Sequence, residues 1–324
     1  MLMGLKVRRS TPSNKAGAYL TESFLAMRAP RRYMQVMSFP TVQLFSALAG
    51  AGAAFGLILS GAIAFAQTTQ TGLAEPGASA WSPAPKSRAR LVSAGTFYGG
   101  AYRAGIEIAL DGNALTYWRN PGDAGVPPEF DFAASTNLAH ADVAYPAPER
   151  HDEDGSEVFG WRRSVIFPLN VQPKDASKPV TLSLTLRYAA CEKICIPSEG
   201  QMQLTLAPVN APNAQAARIA QWASLVPRPA AKSGASIKIE RVANADKPTW
   251  RVQASPAETG SDLFAEGDDG WFFDTRPAKS GAFKLSLAER PSGVENMTSV
   301  RLTLRRPSGA VEFISKLDAG KAAP

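Results

Sequence analysis

Apolar and polar residues alternate along short segments of this chain, and the alternation is its main structural signal. In residues 180–188 (VTLSLTLRY) every even-numbered position is apolar and every odd-numbered position is polar. Residues 202–206 (MQLTL) repeat the pattern. A period of two predicts a β-strand with one buried face. We therefore expect two strands here, with a loop between them.

Further strands are predicted from the same alternation and from the Gly- and Pro-rich stretches that separate them. They are residues 88–94, 102–110, 115–118, 142–145 and 161–168, and, later in the chain, 236–242, 249–254, 271–274, 282–288, 300–305 and 310–314. Helical periodicity is almost absent, apart from an Ala-rich segment ending at Trp222. Many short strands with turns between them predict an all-β fold of β-sandwiches.

Breaks in the pattern divide the chain. Pro-rich stretches at residues 207–213 and 227–234 flank the Ala-rich segment. We predict a β-sandwich at residues 67–208, a linker with a short helix at 209–232, and a second, smaller sandwich at 233–324. The acidic residues Asp262, Glu266, Asp268 and Asp269 of the second sandwich are interpreted as a solvated loop, because their spacing is not that of an EF-hand calcium loop.

Residues 1–66 carry the features of a leader. Residues 44–66 form an uncharged apolar run that follows several arginines and ends in Ala-Phe-Ala before Gln67. This is the pattern of a secretory signal, with Met34 or Met37 as a candidate true start. An uncleaved membrane anchor is the alternative, since the run is long enough to span a bilayer. We expect export to a periplasm of the Gram-negative type.

The leader also accounts for the basic character of the chain. Residues 1–66 hold seven of the 35 basic residues and one of the 28 acidic residues, so the remainder is nearly neutral. A nucleic-acid-binding protein would carry its positive charge on the folded domain. The sequence therefore excludes nucleic acid as a partner.

Cys191 and Cys195 are the only two cysteines, and they lie in the loop between the two alternating strands. A disulfide needs Cα atoms roughly 4.4–6.8 Å apart, whereas four residues of extended strand span about 13 Å, so the segment must turn if the bond forms. So short a loop contributes only about 2 kcal/mol of stability. In an oxidising compartment, the pair is better suited to exchange chemistry than to stabilising the fold.

Other kinds of site remain open at this stage. The two thiolates are soft ligands that select Cu(I), so a copper-tolerance protein that binds Cu(I) through Cys191 and Cys195 is the main alternative, followed by a binding module with a purely structural disulfide. Zinc fits poorly, because His140 and His151 are too far apart in sequence for a typical site. A Cys-His hydrolase would need His151 brought to a thiolate by the fold. No cofactor is expected.

Two stretches around this loop resemble a known family. The stretch from His151 to Leu206 contains an acidic cluster, Phe159-Gly160, the alternating strand and Cys-Glu-Lys-Ile-Cys-Ile-Pro, and residues 117–128 read YWRNPGDAGVPP. Together they resemble the periplasmic N-terminal domain of the thiol:disulfide interchange protein DsbD family, and most closely its copper-sensitivity suppressor (ScsB-like) branch. The resemblance implies immunoglobulin-like sandwiches and a redox-active cysteine pair.

The same resemblance implies roles for individual residues. Cys191 and Cys195 would be the exchanging pair, and a cap loop over them would fall at residues 152–159. The residues singled out are Asp152, Glu157 and Phe159 for the cap, with Phe159 as the ring over the sulfurs, and Tyr117, Trp118, Tyr188 and Pro197 for the surroundings of the pair.

The resemblance also implies partners. Members of the family receive electrons from a membrane-embedded domain and pass them to thioredoxin-like periplasmic proteins, which would make this chain a component of a thiol–disulfide oxidoreductase. The sequence lacks the membrane and thioredoxin-like domains, so we expect a separate membrane protein to reduce the pair. The spacing of three residues between the cysteines is also narrower than in the best-known members. The sequence does not indicate an oligomeric state.

Overall fold

The computed structural model describes residues 75–268, 270–292 and 297–318. The predicted leader at residues 1–66, with Met34 and Met37, lies outside the described residues, as does Asp269. The strands up to residue 206 are β1 (Ser82–Ala84), β2 (Ser87–Tyr98), β3 (Ala101–Leu110), β4 (Leu115–Gly122), β5 (Glu129–Asp131), β6 (Leu138–Val143), β7 (Glu149–Glu153), β8 (Ser156–Arg162), β9 (Ser164–Pro173), β10 (Val180–Cys191) and β11 (Cys195–Leu206).

A helix and eight further strands follow in the described part of the chain. They are α1 (Ala214–Ser224), β12 (Arg228–Pro229), β13 (Ser236–Arg241), β14 (Thr249–Ser255), β15 (Asp262–Gly267), β16 (Phe272–Pro277), β17 (Ala282–Glu289), β18 (Met297–Arg306) and β19 (Gly309–Asp318). Helix α1 begins where the Asn213 side chain accepts a hydrogen bond from the backbone N–H of Gln215, which satisfies one free donor of the first turn.

The strands form four sheets. One has the order β1-β2-β3-β9-β6, and a second has the order β11-β10-β4-β8-β7, with β5 added on β10. A third has the order β12-β19-β18-β15 and a fourth β13-β14-β17-β16. All pairings are antiparallel except that of β12 with β19. The first and second sheets are called the first sandwich below, and the third and fourth the second sandwich.

The alternation seen in the sequence produces the core of the first sandwich. In β10, the apolar side chains Val180, Leu182, Leu184 and Leu186 are buried, and the polar ones between them are more exposed. They pack in one cluster with side chains of the opposite sheet such as Ile106. Burying the apolar side chains of both sheets supplies most of the stabilisation of such a layer pair.

Among the described residues, the cores of the two sandwiches meet at the side chain of Phe264. The second sandwich has its own buried cluster, which includes Trp250, Leu285 and Leu302. Phe264 of β15 is fully buried, but it packs in the core cluster of the first sandwich. Its ring contacts Trp118, with centroids 5.9 Å apart, and Phe159, at 4.9 Å. The second sandwich thus completes the core of the first.

Two predicted segments differ from the structure. The single strand predicted at residues 161–168 is two strands in different sheets, because Arg163 between β8 and β9 has a φ of 67°, which breaks an extended chain. The acidic segment interpreted as a solvated loop contains β15, in which Asp262 and Glu266 bond arginines of the first sandwich. The interpretation was wrong because those arginines lie far away in sequence.

The fold is mostly β, with several antiparallel sheets, as predicted at that level. Helix α1 lies in the segment predicted as a linker and buries Ile219 against the first sandwich. In the described part of the chain, no helix has the length and apolarity needed to cross a bilayer.

Candidate functional site

The two cysteines lie at the end of the β10–β11 hairpin. Cys191 is the last residue of β10 and Cys195 the first of β11, and the two are directly opposite in the register. They form a disulfide with Cα atoms 4.0 Å apart, closed around a loop of three residues. The hairpin supplies the turn that the disulfide requires.

The two sulfur-bearing residues differ in exposure. Cys191 is 2% exposed and packs against Leu115, Tyr117, Val158 and Ala189. Cys195 is exposed, at the start of the outer strand of its sheet. Cys195 is therefore the more accessible residue of the pair, whereas Cys191 is covered.

The hydroxyl of Tyr117 reaches the disulfide from inside the sheet. The side chain is fully buried, and its oxygen is 3.4 Å from the Sγ atom of Cys195. The same hydroxyl donates a hydrogen bond to Oε2 of Glu153 at 3.0 Å. The hydroxyl has one proton, and it is used in the hydrogen bond to the carboxylate. The Tyr117 oxygen therefore presents its lone pairs to the sulfur.

The surroundings of Tyr117 oppose its ionisation. Burial raises the pKa of Tyr117 above its ordinary value of 10.0, and the charge and hydrogen bond of Glu153 raise it further, while Arg162 acts in the opposite direction. The second oxygen of Glu153, Oε1, is buried without a hydrogen-bond partner and lies 4.0 Å from Nη2 of Arg162. Tyr117 is therefore neutral over the physiological pH range.

A glycine, Gly125, packs directly against the ring of Tyr117. Gly125 lies in the loop after β4 with a φ of 107°, and a Cβ atom there would lie 2.3 Å from the ring. Only a residue without a side chain permits so close an approach. The loop of residues 123–128 thus covers Tyr117 as part of the site.

The predicted cap segment forms the end of the β7–β8 hairpin. Asp152 is exposed and accepts a hydrogen bond from the turn at Gly155. Glu157 bonds Arg150 and, in the second sandwich, Arg276. Phe159 is buried against Phe264. The segment contacts the site through two residues that were not singled out, Glu153 on Tyr117 and Val158 beside Cys191.

The four residues predicted to surround the pair occupy different places. Tyr117 contacts the sulfur, whereas Trp118, the next residue along β4, faces the core between the sheets. Tyr188 is also in that core, where its hydroxyl is 2.8 Å from Oγ of Ser87. Pro197 is exposed, and with Val126 it lines a cavity of about 350 Å³ beside the hairpin.

Charges at the hairpin tip are partly neutralised. Glu192 lies 3.2 Å from Nζ of Lys86, and this partner lowers the pKa of Glu192. The residue between Lys193 and Cys195, Ile194, is 74% exposed.

Among the described residues, no group of three or more His, Cys, Asp and Glu side chains is arranged to hold a metal ion.

Residues missed by the sequence analysis share one property. Glu153, Val158 and Gly125 reach the disulfide only through Tyr117 or through packing across strands. The acidic cluster of the cap segment pointed to the right hairpin, but nothing in one sequence distinguishes Glu153 from its acidic neighbours. Gly125 was visible only as part of the motif at residues 117–128.

Comparison with known proteins adds the family. Residues 84–207 match the family described as "Thiol:disulfide interchange protein DsbD, N-terminal". The chain contains a DsbD N-terminal domain. This confirms the resemblance seen in the sequence, and the DsbD N-terminal domain includes Tyr117, Glu153 and both cysteines.

A solved structure supports the fold over a longer range. The N-terminal periplasmic domain of ScsB from Proteus mirabilis matches with a TM-score of 0.60, at 18% sequence identity, over 75% of this chain and 99% of that chain. At this identity the match shows the fold alone. It extends beyond the DsbD N-terminal domain, which spans less than half of the chain. A search of curated proteins finds no match.

Proposed function

We propose that this protein is a periplasmic thiol–disulfide exchange module that passes electrons from a membrane electron-transfer protein to thioredoxin-like partners. The observation that carries the proposal is a disulfide with one exposed and one buried cysteine at a hairpin end of a DsbD N-terminal domain. The periplasmic location follows the leader pattern of residues 44–66 and the domain named in the ScsB structure.

The proposal includes the architecture. Both sandwiches are immunoglobulin-like, with the first at residues 67–208, a linker with a helix at 209–232 and the second at 233–324. Two sheets packed around one core in each sandwich support this division. The contact of Phe264 with the first core supports a close association of the two sandwiches.

In this proposal, Sγ of Cys195 is the atom that exchanges with partner proteins. A thiolate of the reducing partner attacks Sγ of Cys195, the bond to Cys191 breaks, and Sγ of Cys191 leaves with the electron pair and takes a proton. A second thiolate of the partner then attacks the partner sulfur that is bonded to Cys195, and Cys195 is released as a thiolate. The pair gains two electrons and the partner becomes a disulfide.

The onward transfer is the reverse of this sequence with a different partner. The thiolate of Cys195 attacks the disulfide of a thioredoxin-like protein and forms a mixed disulfide. Cys191 then displaces that protein as a dithiol and restores the Cys191–Cys195 bond. In this scheme Tyr117 and Glu153 shape the surroundings of Cys195, and Phe159 and Asp152 belong to the hairpin that covers Cys191.

A redox titration tests the proposal. The protein is equilibrated in glutathione buffers of known potential, quenched by alkylation, and the reduced fraction is measured by mass. We expect a midpoint above about −300 mV, since inert structural disulfides lie below that value. A midpoint far below it would contradict the exchange role and favour a structural disulfide.

A pair of single-cysteine variants tests which sulfur is used. Cys191→Ser leaves the exposed Cys195, and Cys195→Ser leaves the buried Cys191. We expect Cys191→Ser to form a mixed disulfide with an activated aromatic disulfide at least about tenfold faster, because access limits the rate. Equal rates would contradict the assignment to Cys195. Binding of Cu(I) by the reduced pair stays a prediction, to be tested against a Cu(I) chelator.

A further inference from the structure

Arg150 joins the hairpin of the redox site to the second sandwich. It lies on β7, and its Nε and Nη2 atoms donate to the two carboxylate oxygens of Asp262 at 2.9 and 2.8 Å. Nη2 also donates to the backbone oxygen of Leu263 at 2.9 Å and to Oγ1 of Thr275 at 3.0 Å. Nη1 donates to Glu157 on β8 and to the backbone oxygen of Thr275.

This network is well protected from water. The side chains of Arg150 and Asp262 are 17% and 19% exposed. The guanidinium lies over two aromatic rings, 5.1 Å from the centroid of Phe159 and 5.2 Å from that of Phe264. A bidentate ion pair with little exposure fixes geometry far better than a surface pair.

Two further ion pairs hold the same hairpin. Arg276 of β16 bonds Glu157, and Arg305 of β18 lies 3.1 Å from Glu149. Both strands of the β7–β8 hairpin are therefore attached to the second sandwich. Glu153, at the other end of β7, is the residue that bonds Tyr117 beside the disulfide.

Within its own sheet the hairpin is held on one side only. β7 is the edge strand of the second sheet, so β8 is its only partner there. β8 in turn pairs β4 regularly at Tyr117 and Gly160, but the register then shifts and resumes only between Gly122 and Val158. A two-stranded hairpin is marginally stable by itself.

We propose that the second sandwich positions Glu153 at the disulfide, and that Arg150 is the positioning residue through which it does so. The inference deepens the proposed function, on which it rests for its biological use, and it gives the second sandwich a role at a site that it does not touch. Release of Arg150 would loosen the hairpin end, and Glu153 would be held less firmly on the Tyr117 hydroxyl.

The chemical consequence concerns the approach of a thiolate. The carboxylate of Glu153 lies one hydroxyl group away from Sγ of Cys195 and repels an incoming anion. Dithiothreitol reduces the disulfide by the same steps as a partner: one thiolate attacks Cys195, Cys191 leaves and takes a proton, and the second thiol closes the cyclic reagent disulfide. The rate of this reaction therefore reports the position of Glu153 without any partner protein.

The experiment uses the full chain with four substitutions. Asp262→Asn removes the charge that holds Arg150, and Arg150→Lys keeps the charge but loses the fork. Glu153→Gln is the reference for a lost carboxylate at Tyr117. Glu240→Gln is the matched control, because Glu240 pairs with Lys238 on the surface of the second sandwich.

Two readouts are measured on each oxidised variant at neutral pH. The first is the ¹³Cζ resonance of Tyr117, assigned with Tyr117→Phe, which reports the hydrogen bond of the hydroxyl. The groups that face this hydroxyl are Glu153 from β7, Arg162 from β8 and Cys195 from β11. The second readout is the rate constant for reduction by dithiothreitol.

We expect Asp262→Asn and Arg150→Lys to shift the Tyr117 resonance in the direction of Glu153→Gln. All three should be reduced about threefold faster or more, while Glu240→Gln stays at the wild-type values. In the Glu153→Gln background, Asp262→Asn should add no further change, because its effect passes through Glu153.

Two results would overturn the positioning role. One is a wild-type Tyr117 resonance in folded Asp262→Asn and Arg150→Lys. The other is an effect of Asp262→Asn on the reduction rate that persists in full when Glu153 is already Gln. Neither result depends on the redox titration, so a failure of the proposed function and a failure of this inference are distinguishable.

Discussion

Tyr117 shows how one residue can serve the core and the site together. Its ring is buried with Leu115 and Val158, and only its hydroxyl oxygen reaches the sulfur of Cys195. An aromatic residue with a polar end suits such a boundary, because the ring is held rigidly by packing while the oxygen is placed at a polar group. The strength of the Tyr117–Glu153 bond then determines how firmly the site is held.

The first prediction measures that bond. Tyr117→Phe keeps the ring but leaves the carboxylate of Glu153, which is 16% exposed, without its hydroxyl donor. We expect a loss of about 1–3 kcal/mol in the free energy of unfolding, the usual result of leaving a buried polar group unpaired. Denaturant unfolding of the oxidised protein gives the value. Tyr98→Phe is the control, since Tyr98 is 78% exposed, and an equal loss in both variants would contradict the prediction.

The second prediction concerns alkaline pH. Because the folded protein raises the pKa of Tyr117 above 10.0, the unfolded chain releases this proton first, and the associated stability is lost as the pH rises above 10.0. Below that pH the contribution is fully present. We expect the free energy of unfolding of wild type to fall more steeply between pH 9 and 11 than that of Tyr117→Phe, by at most about 1.4 kcal/mol per pH unit. Parallel curves for the two proteins would show that Tyr117 does not contribute.

The motif at residues 117–128 lies on strand β4 and in the loop after it. Its side chains on the strand point to opposite faces of the sheet. Tyr117 points to the disulfide and Trp118 to the core, as alternation along a strand requires. Arg119 and Asn120 bond Glu266 and the backbone of Ala265 in the second sandwich. A short motif thus connects three parts of the molecule.

The third prediction separates the backbone role of Gly125 from its contact with Tyr117. Gly125→Ala places a methyl group against the ring, whereas Gly155→Ala, at a similar positive φ, meets nothing within 4 Å. We expect both to lose roughly 1–2 kcal/mol from the left-handed backbone, and Gly125→Ala to lose about 1–3 kcal/mol more from overpacking. Thermal or denaturant unfolding measures both. Equal losses of stability in Gly125→Ala and Gly155→Ala would show that the contact of Gly125 with Tyr117 does not contribute to stability.

The elements that the sequence predicted well are those whose partners are local. β10 and β11 follow from their alternation, and the loop between them makes the Cys191–Cys195 pair visible as one site. The break at Arg163 was missed because a positive φ leaves no trace in hydrophobic periodicity. Glu153 was missed because its partner, Tyr117, lies 36 residues earlier in the chain.

At the scale of the whole molecule, the least predictable feature is the contact between the two sandwiches. From the sequence, Asp262 and Glu266 are interpreted as solvated charges, because their partners, Arg150 and Arg119, are more than a hundred residues away. Phe264 lies between them in the sequence. Only the fold reveals that this strand, β15, faces the first sandwich with both its charges and its ring.

The last prediction tests whether the two sandwiches share one core. Phe264→Ala removes a fully buried ring that contacts Trp118 and Phe159, so we expect a loss of about 3–5 kcal/mol in the free energy of unfolding. Phe272→Ala is the control in the same sandwich, because Phe272 is 55% exposed, and its loss should be small. Denaturant unfolding followed by tryptophan fluorescence measures both. Because Trp118 belongs to the first sandwich and Trp250 to the second, separate transitions in wild type would contradict a shared core, whereas a single transition that Phe264→Ala shifts as a whole is the expected result.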